Sequence, residues 1–218
     1  METEELGDLI ARTRPVILEI LRDQGYDTKP YDSQSPADIT SLALSGPNAL
    51  RIRLYQKEGV EAPTPRAQVF YWVYDKVKMS LARRIDELWD TERYEENAAN
   101  QATDEAIVIL NEPLHDAFHA SSIQQWLLHK RRIVFYTIKQ LISNPSRHIL
   151  QPRFRKIPAS DSELLQSLRL KTKKNLPLMK FHVDIMTRIL GLVPDDVVEI
   201  IRPSQTAGDY KMYRICSI

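Results

Sequence analysis

The sequence predicts a mixed α/β chain in two units, residues 1–142 and 143–218, and three observations carry that prediction. Helix-periodic segments alternate with short β-branched and aromatic runs as far as Ile138, the pattern of helices layered on a sheet. Ser143-Asn-Pro-Ser146 then interrupts the pattern with loop residues. Charge changes sign at the same place. Residues 1–142 hold 17 Lys+Arg against 22 Asp+Glu, a balance of −5, whereas residues from Ser143 hold 13 against 7, a balance of +6. Segments of opposite charge point to units with different partners.

In the first unit, Leu6, Leu9, Ile10, Val16, Ile17, Ile20 and Leu21 recur at helical spacing. Pro15 lies inside the run, so the helix either kinks there or begins near it. Gly25 is placed to end it. Tyr31 to Gly46 is rich in Ser, Pro and Asp and reads as loop, with a short helix over Ala37–Leu44. Leu50 to Tyr55 alternates apolar and polar residues, a strand with one wet face, and Val69 to Tyr74 is a more fully buried strand. A turn over Glu58–Arg66 joins them. Lys76 to Gln101 carries Leu81, Ile85 and Leu88 on one stripe, an exposed amphipathic helix. Ala106–Leu110 is a strand, His115–His129 a helix, and Ile133–Ile138 a strand.

In the second unit, His148-Ile-Leu-Gln151 is a candidate first strand. Ser160 and Glu163 form a capping box opening a helix over Asp161–Leu170. A basic loop, Lys171–Pro177, leads to a short strand at Leu178–Phe181 and a helix at Val183–Leu190, stopped by Gly191. Val197 to Ile218 closes the chain with two strands around a loop bearing Pro203 and Gly208, longer than a two-residue Asn-Gly hairpin.

Composition excludes several classes. Hydrophobic residues are 43% and charged residues 27%, which fits a packed soluble chain rather than a disordered one. No apolar run is long enough to span a bilayer, and the acidic N-terminus is unlike a secretory signal. Cys216 is the sole cysteine, so no internal disulfide forms, and a reducing compartment, cytosol or nucleus, is expected.

Catalytic motifs are wanting. No phosphate-binding P-loop and no Gly-x-Gly-x-x-Gly turn is present. Ser204-Gln-Thr-Ala-Gly208 faintly suggests a phosphate nest, but Asp209 follows it and would repel phosphate. His115 and His119 share a helical face, yet a metal needs further ligands. Asp75-Lys-Val-Lys78 is the nearest approach to a nuclease pattern and lacks the spacing that holds Mg²⁺. No catalytic residue, metal or cofactor is therefore expected. Lys130, Arg131 and Arg132 cluster between a helix and a strand. They are candidates to face DNA phosphates, or else cations that suit a helix C-terminus.

From His148-Ile-Leu-Gln-Pro152 to the end, a set of ordered positions resembles a known family. Leu176-Pro177, Gly191-Leu192, Val197-Val-Glu-Ile-Ile-Arg202, Ser204, Thr206, Gly208 and Tyr213-Arg214 are similar to the small assembly domain of the RNA polymerase subunit shared by the three eukaryotic nuclear polymerases. That family has an archaeal counterpart. Arg12 to Tyr26 is similar, more weakly, to the first helix of the eukaryotic subunit's N-terminal jaw. Three positions depart: Val193-Pro-Asp-Asp196 stands where the family has a basic turn, Asp209 where an Arg is common, and Phe154 near a family His. Such departures suggest a divergent lineage, a protist or a large DNA virus.

The resemblance implies an N-terminal nuclease-like, catalytically empty jaw (1–142) and a C-terminal assembly domain (143–218). It implies a non-catalytic subunit of a multisubunit DNA-directed RNA polymerase, acting in transcription. The C-terminal unit would dock on the largest subunit and contact other polymerase subunits. The jaw would flank downstream duplex DNA, with weak contact. The expected site is an assembly interface of Pro177, Gly191, Arg202, Ser204, Thr206, Gly208, Tyr213 and Arg214, and the expected location is the nucleus, or a viral factory or virion. The alternatives are a free-standing interaction adaptor and, behind it, a metal-dependent nuclease.

Overall fold

A computed structural model describes residues 3–55, 67–89, 105–157, 168, 171–204 and 208–218. The chain divides into two compact units, Met1–Asn144 and Pro145–Ile218.

The first unit opens with α1, Thr3–Asp23. It runs through Pro15 as one helix instead of starting there. Residues on its inner stripe, Ile10, Ile17 and Leu21, are all fully buried, and that packing outweighs the backbone bond a mid-helix proline removes. Thr13 also turns its hydroxyl back to the Leu9 and Ile10 carbonyls, at 2.9 and 3.2 Å. The helix ends in a Schellman turn: Tyr26 N–H donates to Leu21 O and Gly25 N–H to Arg22 O, both at 3.0 Å. Gly25 takes φ +100°, open to glycine. Then come a one-turn helix α2 (Lys29–Asp32) and α3 (Pro36–Ser45). A capping box between Ser35 and Asp38 starts α3, one residue before the expected helix.

The sheet of this unit has the order β1-β2-β3-β4, made of Ile52–Leu54, Ala67–Trp72, Glu105–Leu110 and Ile133–Thr137. β1 is antiparallel to β2, and β2, β3 and β4 run parallel, so it is mixed. Phe70, Val108, Leu110 and Phe135 point to one face. There they form a core with Leu81, Ile85 and Leu88 of α4 (Leu81–Trp89) and Phe118 of α5 (Asp116–His129). The expected stripe of the amphipathic helix is thus the buried one; the helix begins at Leu81 after a single 3-10 turn over Lys78–Ser80 rather than at Lys76, and residues 90–101 lie outside the described residues. Alternate residues Val69, Tyr71, Ile107, Ile109, Val134 and Tyr136 are buried on the opposite face, where Arg14 of α1 approaches the Tyr71 ring.

The second unit holds a sheet of order β5-β7-β8-β6: Arg153–Ile157, Val197–Ser204, Gly208–Ser217 and Leu178–Lys180. β5 and β8 pair antiparallel with β7, and β6 pairs parallel with β8. A short helix α6 (Ile185–Ile189) precedes β7, with Gly191 behind it at φ +65°. The first strand is not His148–Gln151. That segment is a turn, in which Gln151 N–H donates to His148 O at 2.8 Å and Leu150 N–H to His148 Nδ1 at 3.2 Å. Its Ile149 and Leu150 stand in solvent. The real strand, Arg-Phe-Arg-Lys-Ile, is masked in the sequence by its charges. The Ser160–Glu163 box and its helix lie outside the described residues.

Candidate assembly interface

The closing hairpin is built on an unbroken register from Val197↔Ile215 to Ser204↔Gly208. Pro203 and Gly208, which the sequence places in the loop, are strand residues opposed to Asp209 and Ser204, and residues 205–207 lie between the strands. Gly208, the first residue of β8, sits at φ +69°, a left-handed conformation open to glycine. Pro203 is tolerated because β5 pairs with β7 only as far as Ile201, so the proline occupies an edge.

Period two assigns the two faces. One carries Ile157, Val197 and Ile215, packed with Leu176, and continues towards the tip through Glu199, Tyr213, Lys211 and Asp209. Glu199 is 2% exposed. Its Oε2 accepts Arg155 Nε at 3.0 Å and Nη2 at 2.9 Å, and its Oε1 accepts the Tyr213 hydroxyl at 3.0 Å with Lys211 Nζ at 3.5 Å. Burial pushes its carboxyl upward, but the Tyr213 hydroxyl and the Arg155 and Lys211 cations outweigh it and hold the pKa below the ordinary value. Asp209 meets Arg153 Nη2 at 3.6 Å across the intervening strand. Lys156 pairs with Asp196 at 2.7 Å.

The opposite face bears Val198, Ile200 and Cys216, all buried, with Arg214 opposite Val198 and Arg202 opposite Tyr210. Arg202 and Arg214 therefore share a face, about 13 Å apart along the strands. Arg202 is exposed and, with Tyr210 at 56% exposure, marks the tip. Arg214 is half-buried and donates through Nη1 to Leu178 O at 3.4 Å. Pro177 is exposed, and its carbonyl accepts from Ile215 N–H at 3.0 Å. Thus Pro177, Tyr213 and Arg214 brace the sheet internally, whereas Arg202 and Tyr210 are exposed near the end of the hairpin. Thr206 lies outside the described residues.

In the first unit, the basic cluster does not share one surface. Lys130 is exposed, in a left-handed conformation at φ +55° past the end of α5, 5.5 Å from the Trp126 ring centroid. Arg131 stacks 5.0 Å from the Trp89 ring centroid, and burial lowers its pKa. Arg132 is buried and ion-paired with buried Glu105, which also accepts the Tyr26 hydroxyl at 3.2 Å. The corrected reading of this cluster is one solvent-facing cation, one stacked and one internal. Among the described residues no group of three or more His, Cys, Asp or Glu is placed to hold a metal ion, and no helix is long and apolar enough to cross a membrane.

Comparison with known proteins bears on this sheet directly. Residues 143–216 match the family model "RNA polymerase Rpb5, C-terminal domain". Over 73 residues the chain is 37% identical to the DNA-directed RNA polymerase subunit Rpo5 of Pyrococcus abyssi, covering 33% of this chain and 87% of that subunit. The chain belongs to the Rpb5 family of RNA polymerase subunits. The likeness extends along its length: it is 23% identical to the DNA-directed RNA polymerases I, II, and III subunit rpabc1 of Dictyostelium discoideum, over 98% of this chain and 99% of that one. As an Rpb5 homologue it is a non-catalytic subunit of a DNA-directed RNA polymerase.

Glu199 and Arg155 escaped the sequence reading. Glu199 occupies an inward position of Val-Val-Glu-Ile-Ile, between Val197 and Ile201. A lone acid at a core-facing strand position is a signal for a paired cation. Nothing local identifies Arg155 as that cation, because the two strands are 44 residues apart in sequence.

Proposed function

We propose that the second unit docks on the largest polymerase subunit through the tip of the β7–β8 hairpin, and that the first unit flanks downstream duplex DNA. One observation carries the docking half. Arg202 stands exposed beside an exposed Tyr210, on a strand pair where Glu199, Asp209 and Lys211 are in ion pairs within the sheet and Arg214 donates to the Leu178 carbonyl. An Arg and a Tyr on a rigid tip form the pair of residue types most enriched at binding hot spots. The acidic balance of residues 1–142 supports only light contact with DNA, made through Lys130 rather than through the three-residue cluster. Ser204, Thr206 and Gly208 serve to shape the tip, and Gly191 shapes the turn after α6 at the base of the hairpin.

Copurification with the two large polymerase subunits tests the reading. An Arg202→Ala chain should be retained at least tenfold less while its thermal midpoint stays unchanged. Retention equal to wild type would place docking elsewhere. The compartment that follows is the nucleus; mass spectrometry of the native complex separates this from a viral factory or virion.

A further inference from the structure

A recess in the first unit stands over a buried, unneutralised charge. Arg14 of α1 is 1% exposed. Its Nε donates to Gln34 Oε1 at 3.0 Å and its Nη1 to Leu50 O at 2.7 Å. The guanidinium lies 5.7 Å from the Tyr31 ring centroid and 5.9 Å from that of Tyr71. All these partners are neutral, and among the described residues no carboxylate pairs with Arg14. The Tyr71 hydroxyl beside it is buried as well; burial raises its pKa more than Arg14 lowers it, so it stays neutral and supplies no counter-charge. A buried cation ordinarily has a counter-ion, because aromatic faces and neutral acceptors replace only part of its hydration.

Arg14 lines a cavity of about 380 Å³ with Leu18, Arg22, Tyr31, Asp32, Gln34 and Ile39. Arg14, Leu18 and Arg22 fall at i, i+4 and i+8, one stripe of α1. Arg22 at the rim already holds Asp32 at 2.7 Å. We propose that this recess receives the carboxylate of an Asp or Glu side chain from a second polypeptide, with Arg14 as its counter-ion. The site is separate from the hairpin tip and does not depend on its docking.

Charge decides between a carboxylate and a phosphate. A single carboxylate matches the single positive charge of Arg14, and the apolar walls from Leu18 and Ile39 fit the methylenes and neighbours of an acidic side chain. A phosphate or nucleic-acid strand would bring more negative charge against Asp32 and the −5 balance of this unit. Gln34 fixes the geometry: its amide oxygen occupies the place of one carboxylate oxygen, on a half-buried side chain between two short helices that the incoming group displaces.

The test follows the Arg14 Nε–H resonance in the ¹⁵N-labelled full chain. The probes are the capped peptide acetyl-Ser-Leu-Asp-Leu-Ser-amide, its Asn counterpart, and sodium phosphate. The Asp peptide should move the resonance saturably, with at least tenfold weaker responses to the other two. An equal response to the Asn peptide, a stronger one to phosphate, or none to the Asp peptide would overturn the proposal. Because Arg14→Ala removes a packed core side chain, Gln34→Glu is the companion variant. It supplies the carboxylate internally and should weaken the Asp-peptide response at least tenfold while raising the thermal midpoint. An undiminished response in Gln34→Glu would also overturn it.

Discussion

Arg155 grips one oxygen of Glu199 with both Nε and Nη2, at 3.0 and 2.9 Å, from the position directly opposite it on the neighbouring strand. With the Tyr213 hydroxyl on the other oxygen, three adjacent strands are tied through one buried carboxylate. The proposed docking hairpin is thereby fixed to β5 at mid-length rather than only at its base.

Removing that carboxylate should be costly. Glu199→Ala removes the shared acceptor of Arg155, Lys211 and the Tyr213 hydroxyl. Arg155 and Lys211 are more than half exposed and regain water, so the expected loss is about 1–2 kcal/mol, carried mainly by the Tyr213 hydrogen bond and read as a lowered urea midpoint. A loss under about 1 kcal/mol would show the cluster to be ornamental to stability.

The same group predicts acid lability. The Glu199 pKa is lowered in the folded chain from its ordinary value of 4.5. The unfolded chain therefore binds the proton more tightly, and the stabilisation is fully present above pH 4.5. It is lost as pH falls through the lower folded value. Tyr213→Phe should shrink this acid-limb loss in a pH series of urea melts, since it removes a bond made to the charged carboxylate.

Arg132 and Lys130 should separate cleanly. Arg132→Ala strands Glu105 in the core and should destabilise the chain by about 3 kcal/mol or more, seen in thermal melts. Lys130→Gly should stabilise it by about 1 kcal/mol by relieving the left-handed backbone strain. If Lys130 meets a DNA phosphate in the complex, the same variant lowers the salt dependence of DNA binding by about one counterion.

Asp209 stands where the family resemblance leads to a positive charge, and its partner Arg153 supplies that charge from β5. Both side chains are well exposed, so Asp209→Ala should change stability by less than about 1 kcal/mol. Its effect should appear in polymerase retention, where freeing Arg153 adds a cation near the hairpin tip. Identical retention would exclude this end of the sheet from the interface.

Much of the fold was legible in local sequence. The buried strands around Phe70, Val108 and Phe135, the stripe of Leu81, Ile85 and Leu88, and the glycine stops at Gly25 and Gly191 each follow from residue type and spacing, because propensity and periodicity act over a few neighbours. Strand β5 did not, since its Arg153, Arg155 and Lys156 look like a loop until Asp209, Glu199 and Asp196 supply their acids. Nor did the length of the hairpin loop, because only register shows Pro203 and Asp209 to be opposed strand residues. The site divides the same way. Sequence alone determined which residues gather at the chain's end and which family they belong to. Tertiary structure decided that Arg202 projects while Tyr213 and Arg214 brace, that Arg132 is internal, and that Arg14 lies buried without a carboxylate among the described residues. Those outcomes depend on the distance between groups far apart in the chain, and electrostatic energy in a partly desolvated interior is set by that distance.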